Sequence, residues 1–145
     1  MMRFLVGAIL PFLLWGICQA EIVTVTAPTA EVLNSPSPTI SQTILQAPRF
    51  YPLSIQGEKD GYYRVRDYQG LTGWIKKSQV DNTMGVVVEV ARVNVRKGPG
   101  TKHPVVFKAY RGVTFQVLDE QGGWLEVKHE SGKRGWVSKP LTWGR

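Results

Sequence analysis

Apolar and polar residues alternate over short segments of this chain, as they do in β-strands that bury one face. Val113-Thr-Phe-Gln-Val alternates in this way and stops at a turn-forming cluster of Asp, Glu, Gln and Gly. Trp124-Leu-Glu-Val-Lys predicts the next strand, His129-Glu-Ser-Gly-Lys a hairpin loop, and Arg134-Gly-Trp-Val-Ser a further strand. No stretch after residue 20 keeps a helical period with capping residues. The pattern predicts an all-β fold.

The same pattern occurs twice in the chain. Sliding the sequence by 62 residues superimposes glycines on glycines and apolar positions on apolar positions, without a gap from Glu21 to the end. The matched positions include Arg49 with Arg111, Glu58 with Glu120, Gly73 with Gly135, Trp74 with Trp136, Lys77 with Lys139, Leu33 with Val95, and Tyr62 with Trp124. Such matches are typical of a duplicated fold. We therefore predict two units, residues 21–81 and 82–145, with a joint at 81–85 that is short enough for the units to touch.

Residues 1–20 have the pattern of a secretory signal peptide. A single basic residue precedes the uncharged segment 4–17, which is shorter than the about 20 apolar residues needed to span a bilayer. Small residues at Cys18 and Ala20 predict cleavage before Glu21. A retained anchor, or a lipoprotein with lipid on Cys18, is the alternative. After cleavage, the protein is expected to be secreted or periplasmic and not membrane-spanning.

The composition offers little catalytic chemistry. The 145 residues contain 1 Cys and 2 His, and the cysteine lies in the predicted leader. The sequence has no HExxH zinc motif, no GxSxG nucleophile elbow and no phosphate-binding P-loop. We therefore expect a protein that is not an enzyme and that carries no metal and no cofactor.

Three segments of the second unit resemble the bacterial SH3-like (SH3b) domain family. They are Val93-Asn-Val-Arg-Lys-Gly-Pro-Gly100, Gly122-Gly-Trp-Leu-Glu-Val and Gly135-Trp-Val. The first unit follows the plan more loosely, because Val32-Leu-Asn-Ser-Pro-Ser-Pro38 replaces the first segment and lacks its glycines and arginine. The resemblance implies two tandem small SH3-like β-barrels that form a cell-wall or peptide-binding module.

Charge and aromatic residues indicate where a ligand would bind. Residues 21–81 hold 6 basic and 6 acidic side chains, whereas residues 82–145 hold 11 basic and 5 acidic ones. Trp74 and Trp136 are expected to cover the core, while Trp124 is open to either packing or binding. The candidate ligand-binding residues all lie in the second unit: Asn94, Arg96, Lys97, Tyr110 and Trp124.

Together these features predict an exported, non-catalytic protein that binds cell-wall peptidoglycan or its peptide stems through the second unit. The alternatives are an adaptor that docks onto an envelope enzyme or complex, and a purely structural companion with no ligand. Nucleic acid is not an expected partner, despite a net charge of +7, because an exported protein rarely meets it.

Overall fold

The fold is taken from a computed structural model, which describes residues 20–145. The predicted leader up to Gln19, with Cys18, lies outside the described residues. Every regular element in the described part is a β-strand, apart from the short 3₁₀ helices Lys77–Gln79 and Lys139–Leu141. The predicted all-β fold is therefore confirmed. Within residues 20–145, no helix has the length and apolar character needed to cross a membrane.

The first unit forms one antiparallel sheet of seven strands. The strands are β1 (Ile22–Val25), β2 (Thr29–Leu33), β3 (Thr43–Pro48), β4 (Pro52–Lys59), β5 (Tyr62–Arg66), β6 (Thr72–Lys76) and β7 (Val80–Asp81). Their order in the sheet is β3-β2-β6-β5-β4-β1-β7.

The second unit forms a second antiparallel sheet of seven strands. The strands are β8 (Gly85–Val88), β9 (Arg92–Arg96), β10 (Val105–Tyr110), β11 (Thr114–Gln121), β12 (Trp124–Lys128), β13 (Arg134–Ser138) and β14 (Thr142–Gly144). Their order is β10-β9-β13-β12-β11-β8-β14, which is the first order shifted by seven strands. The predicted duplication is therefore present in the topology. Both orders are linear, so the pairing of the described strands shows two sheets and does not show the closure of either sheet into the predicted barrel.

The repeat is not free of gaps, which corrects the prediction from sequence. Val32 pairs with Leu45, and Val95 pairs with Phe107, so the repeat distance is 63 residues on one strand and 62 on its partner. The extra residue lies in the loop between β2 and β3, at positions 34–42. Leu33 therefore corresponds to Arg96 and not to Val95 as predicted. Both Leu33 and Arg96 pair with the tryptophan of the neighbouring strand.

Several residues matched between the units make the same contact in each. Lys77 Nζ lies 3.1 Å from Glu58 Oε2, and Lys139 Nζ lies 2.6 Å from Glu120 Oε1. Gly135 lies so close to β9 that a Cβ there would come within 2.5 Å of Val95 and 2.8 Å of a backbone oxygen. The matched positions therefore record shared contacts as well as shared strands.

Each unit has its own apolar core, and β8 contributes to both. All four residues of β8 are buried. Val86 and Val88 pack into the core of the second unit, whereas Val87 packs into the core of the first. Trp143 of β14 pairs with Val87 of β8 and also packs against the first core. The predicted contact between the units is therefore present, and the Val87–Trp143 pair is an apolar part of it.

Backbone and polar groups complete this contact. The Thr114 hydroxyl donates to the Arg49 carbonyl at 2.7 Å, and Arg49 Nη1 lies 3.6 Å from Glu130 Oε1. A Cβ at Gly85 would lie 2.5 Å from the Phe50 carbonyl oxygen. Glycine at this position therefore allows the two backbones to approach each other.

Candidate functional site

The five predicted ligand-binding residues lie in three separate clefts of the second unit. Asn94, Arg96 and Trp124 line a cleft of about 290 Å³, which we call the Trp124 cleft. Lys97 lines a cleft of about 230 Å³, the Lys97 cleft. Tyr110 lines the largest of the three, of about 330 Å³, which we call the Tyr110 cleft. The structure thus brings three of the five residues together and separates the other two from them.

Strand alternation explains how the Trp124 cleft is built. In β9, Val93 and Val95 point into the core, so Arg92, Asn94 and Arg96 lie on the outer face. The exposed Arg92 also lines the cleft and was missed from sequence, although the alternating Arg92–Arg96 segment could have shown it. Two arginines and a half-buried tryptophan line this cleft, with no carboxylate among the described lining residues.

Arg96 holds the loop between β9 and β10 in place. Its Nη1 donates to the carbonyl of His103 at 2.9 Å and to the carbonyl of Thr101 at 3.2 Å. The His103 ring lies against Gly98, where a Cβ would come within 2.6 Å of the ring. Arg96 therefore has a structural role in this loop. Arg92 lines the same cleft, and among the described residues its side chain makes no hydrogen bond or ion pair.

Trp124 begins β12 directly after the turn at Gly122 and Gly123. Both glycines have positive φ angles, 55° and 84°, which side-chain-bearing residues rarely adopt. Trp124 pairs with Ser138, and both line the cleft. An indole that is half-buried in this way has a packed part and an accessible part, so it can offer an apolar surface to a ligand.

The Lys97 cleft contains Trp136, and this position differs from the prediction. Trp136 is 9% exposed but lies on the face of β13 opposite Val137, and it is Val137 that belongs to the core. Trp136 pairs with Glu126 on one side and with Arg96 on the other. The burial predicted for Trp136 is therefore present, but Trp136 is not part of the core cluster that contains Val137. Trp136 lines the Lys97 cleft, and its strand partner Arg96 lines the Trp124 cleft.

The first unit presents a different surface at the positions equivalent to the Trp124 cleft. Tyr62 stands in place of Trp124 and is 5% exposed, whereas Leu33 stands in place of Arg96 and is 8% exposed. Glu31 replaces Asn94, which exchanges a neutral side chain for an anionic one. The aromatic and cationic pairing of the Trp124 cleft is therefore specific to the second unit.

Ion pairing distinguishes the cations of the second unit. Lys139 and Arg145 both contact Glu120, at 2.6 Å and 2.9 Å, and the hydrogen bond from Lys139 is the main cause that lowers the pKa of this carboxyl. The charge of Glu120 thus compensates Lys139 and Arg145. Arg92, by contrast, lines the Trp124 cleft and has no ion pair among the described residues. Residues 20–145 contain no group of three or more His, Cys, Asp or Glu arranged to hold a metal ion.

Comparison with known proteins gives similarity to parts of cell-wall enzymes. The chain is 32% identical over 59 residues to a probable cell wall amidase, LytH, of Staphylococcus epidermidis, covering 40% of this chain and 20% of that protein. It is 33% identical over 51 residues to a putative N-acetylmuramoyl-L-alanine amidase, YrvJ, of Bacillus subtilis, covering 35% of this chain and 10% of that protein. The match therefore spans a fifth or less of the length of these relatives.

Among solved structures, the chain matches NlpC1 from Trichomonas vaginalis at 17% identity and a TM-score of 0.39, covering 86% of this chain and 45% of that one. An NlpC/P60 family protein from Bacillus cereus gives 13% identity and a TM-score of 0.41, covering 86% of this chain and 56% of that one.

Both units match family descriptions of the bacterial SH3 domain, the first over residues 27–82 and the second over residues 91–141. The two matches follow one another along the chain and coincide with the two sheets. The chain therefore belongs to the bacterial SH3 domain family and carries two copies of the domain in tandem.

Proposed function

We propose that this protein is an exported, non-catalytic bacterial SH3 protein that binds peptidoglycan or its peptide stems through the Trp124 cleft. Export follows from the leader pattern in residues 1–20, and two SH3-like barrels are part of the same proposal. Similarity to segments of two cell-wall amidases supports a cell-wall association. The observation that carries the choice of site is that Arg92, Asn94 and Trp124 line one cleft.

The chemistry of the cleft suits a peptide that carries carboxylates. Arg92 and Arg96 attract anions, the Asn94 amide can donate and accept hydrogen bonds, and Trp124 offers an apolar surface. Exposed ion pairs contribute about 1 kcal/mol or less each and weaken as salt is added. Contact with an aromatic surface is not screened by salt. The proposal therefore predicts binding with one part that depends on salt and one part that does not.

Co-sedimentation of residues 21–145 with purified sacculi at low and high salt tests this function. Arg92→Ala should weaken retention about fivefold at low salt, corresponding to about 1 kcal/mol, and much less at high salt. Arg64→Ala removes the same charge from an exposed position of the first unit and is the matched control. Equal losses in both variants would indicate general charge attraction and would contradict a site in the Trp124 cleft.

The same experiment separates this function from the adaptor alternative. An adaptor would stay in the supernatant and would not sediment with sacculi. In a pull-down, it would instead recover an envelope protein in stoichiometric amounts. That pair of results would overturn the peptidoglycan proposal.

A further inference from the structure

The Tyr110 cleft has an aromatic wall and a basic rim. The Phe107 and Phe115 rings lie 6.2 Å apart, and the His129 ring meets Phe115 edge-on at 5.8 Å. Lys133 Nζ lies 5.8 Å from the centre of the Phe107 ring. Lys108 and the 57%-exposed Tyr110 also line the cleft, and its described lining contains no carboxylate. Such a cleft favours an apolar group that carries negative charge beside it.

The first unit contains the equivalent place, and there a tyrosine occupies it. Tyr51 N donates to the Pro48 carbonyl, as Val113 N donates to the Tyr110 carbonyl. Tyr51 and Val113 are therefore equivalent. Asp67 and His129 are equivalent by the same reasoning, because each begins a turn and accepts from the backbone two residues later.

In the first unit, Tyr51 and Asp67 fill the place that is open as the Tyr110 cleft in the second unit. The Tyr51 hydroxyl donates to Asp67 Oδ2 at 2.8 Å, and the tyrosine is only 5% exposed. Burial, reinforced by the hydrogen bond to Asp67, raises the pKa of Tyr51 well above its usual range, so the phenol stays a donor. The edge of the Tyr51 ring also meets Tyr68, with ring centres 6.3 Å apart.

In the second unit the ring is missing from the same place. Val113 replaces the tyrosine and has no ring, and His129 replaces its aspartate partner. Both Val113 and His129 line the open cleft. The His129 Nδ1 accepts a hydrogen bond from the Ser131 amide at 3.1 Å. Phe107 and Phe115 also replace Leu45 and Leu53 of the first unit, so the second unit has an aromatic wall where the first unit has the Tyr51 ring.

We propose that the Tyr110 cleft is a second binding site, which takes an aromatic side chain of a partner polypeptide flanked by acidic residues. The aromatic part follows from the position of Tyr51 in the first unit. The acidic flanks follow from Lys108 and Lys133 at the rim. This site differs from the Trp124 cleft in position and in ligand class, and so extends the proposed function.

Nuclear magnetic resonance titration of ¹⁵N-labelled residues 21–145 tests the proposal. The probe is the blocked tripeptide Glu-Tyr-Glu, and the control is blocked Glu-Ala-Glu. Saturable shifts are expected at the amides of Tyr110 and Ser131, with the alanine peptide binding at least tenfold more weakly. Equal binding of both peptides would show charge attraction alone and would overturn the proposal.

Transplanting the tyrosine and aspartate of the first unit to the equivalent positions of the second unit gives the most direct test of the cleft. The double substitution Val113→Tyr with His129→Asp should fill the cleft from within and reduce peptide binding at least tenfold. Arg64→Ala, which removes an exposed cation from the first unit, should leave peptide binding unchanged. Peptide binding by the folded transplant at the wild-type level would overturn the proposal.

Two further measurements keep the result clear. Lys133→Glu changes an exposed rim residue and should weaken peptide binding at least fivefold at low salt, even if the transplant fails to fold. Normal binding by this folded variant would contradict the role of the rim. The folded transplant should keep its retention on sacculi, so the two binding functions can fail independently. Loss of that retention would contradict the separation of the two sites.

Discussion

Replacing Val87 with alanine should loosen the contact between the two units. Val87 is fully buried. Its strand belongs to the second sheet, but its side chain packs into the core of the first unit. Removing two buried carbons costs about 1.6 kcal/mol at about 0.8 kcal/mol per carbon, and the remaining cavity brings the loss to about 2 kcal/mol. For a chain of this size, that loss lowers the melting temperature by about 8 °C.

Val86→Ala is the matched control for this prediction. Val86 is the preceding residue of the same strand and is 1% exposed, but it packs into the core of the second unit. In residues 21–145, both variants should lose about 2 kcal/mol. In residues 82–145 alone, Val86→Ala should cost the same, whereas Val87→Ala should cost less than about 0.5 kcal/mol because the first unit no longer covers Val87.

The assay is denaturant unfolding followed by tryptophan fluorescence and, in parallel, by circular dichroism. The reasoning would be refuted if Val87→Ala cost as much in residues 82–145 as in the longer chain. It would also be refuted if the substitution left the longer chain unchanged.

Three further outcomes follow from the structure. Residues 82–145 alone should melt below residues 21–145 in calorimetry, because domains of about 60 residues are marginal and this one loses the cover of Val87; equal melting temperatures would exclude coupling. Gly85→Ala should lower the melting temperature in calorimetry, since its Cβ would lie 2.5 Å from the Phe50 carbonyl, whereas Gly57→Ala, with no atom within 4 Å, should not; equal shifts would contradict the close approach. The raised pKa of Tyr51 favours the protonated folded state, so stability should fall as the pH rises above the ordinary value of about 10, and Tyr51→Phe should show a smaller fall in alkaline titration; an unchanged fall would contradict the burial of this phenol.

The strands and the duplication could be predicted because they depend on local alternation and on matched special positions. The Val113–Val117 segment alternates, and its Phe115 is fully buried as the pattern requires. The one-residue difference between the units could not be located, because it falls in a loop whose residues have no alternating pattern. Only the pairing of Val32 with Leu45 and of Val95 with Phe107 places it.

The candidate site was predicted in part for the same physical reason. Alternation in β9 places Asn94 and Arg96 on one face, and it would also have placed Arg92 there. The separation of Tyr110 from Trp124 depends on the arrangement of the whole sheet, which no local pattern contains. Trp136 shows a further limit, because its burial depends on neighbours across the outer face and not on the core.

The Tyr110 cleft could not be found from one unit alone. Val113 is an ordinary apolar residue of a strand pattern, and only the comparison with Tyr51 shows that a ring is missing beside it. In a duplicated chain, each unit can thus be compared with the other, once the structure has established which residues are equivalent.

The central claim is that the Trp124 cleft binds the cell wall, and retention of Trp124→Ala on sacculi at high salt tests it most directly. Loss of an aromatic contact of about 1.5 kcal/mol predicts retention weakened about tenfold at low and at high salt. Trp74→Ala, which removes a half-buried tryptophan from the first unit, is the matched control and should retain its binding. Wild-type retention by a folded Trp124→Ala protein at high salt would contradict the claim.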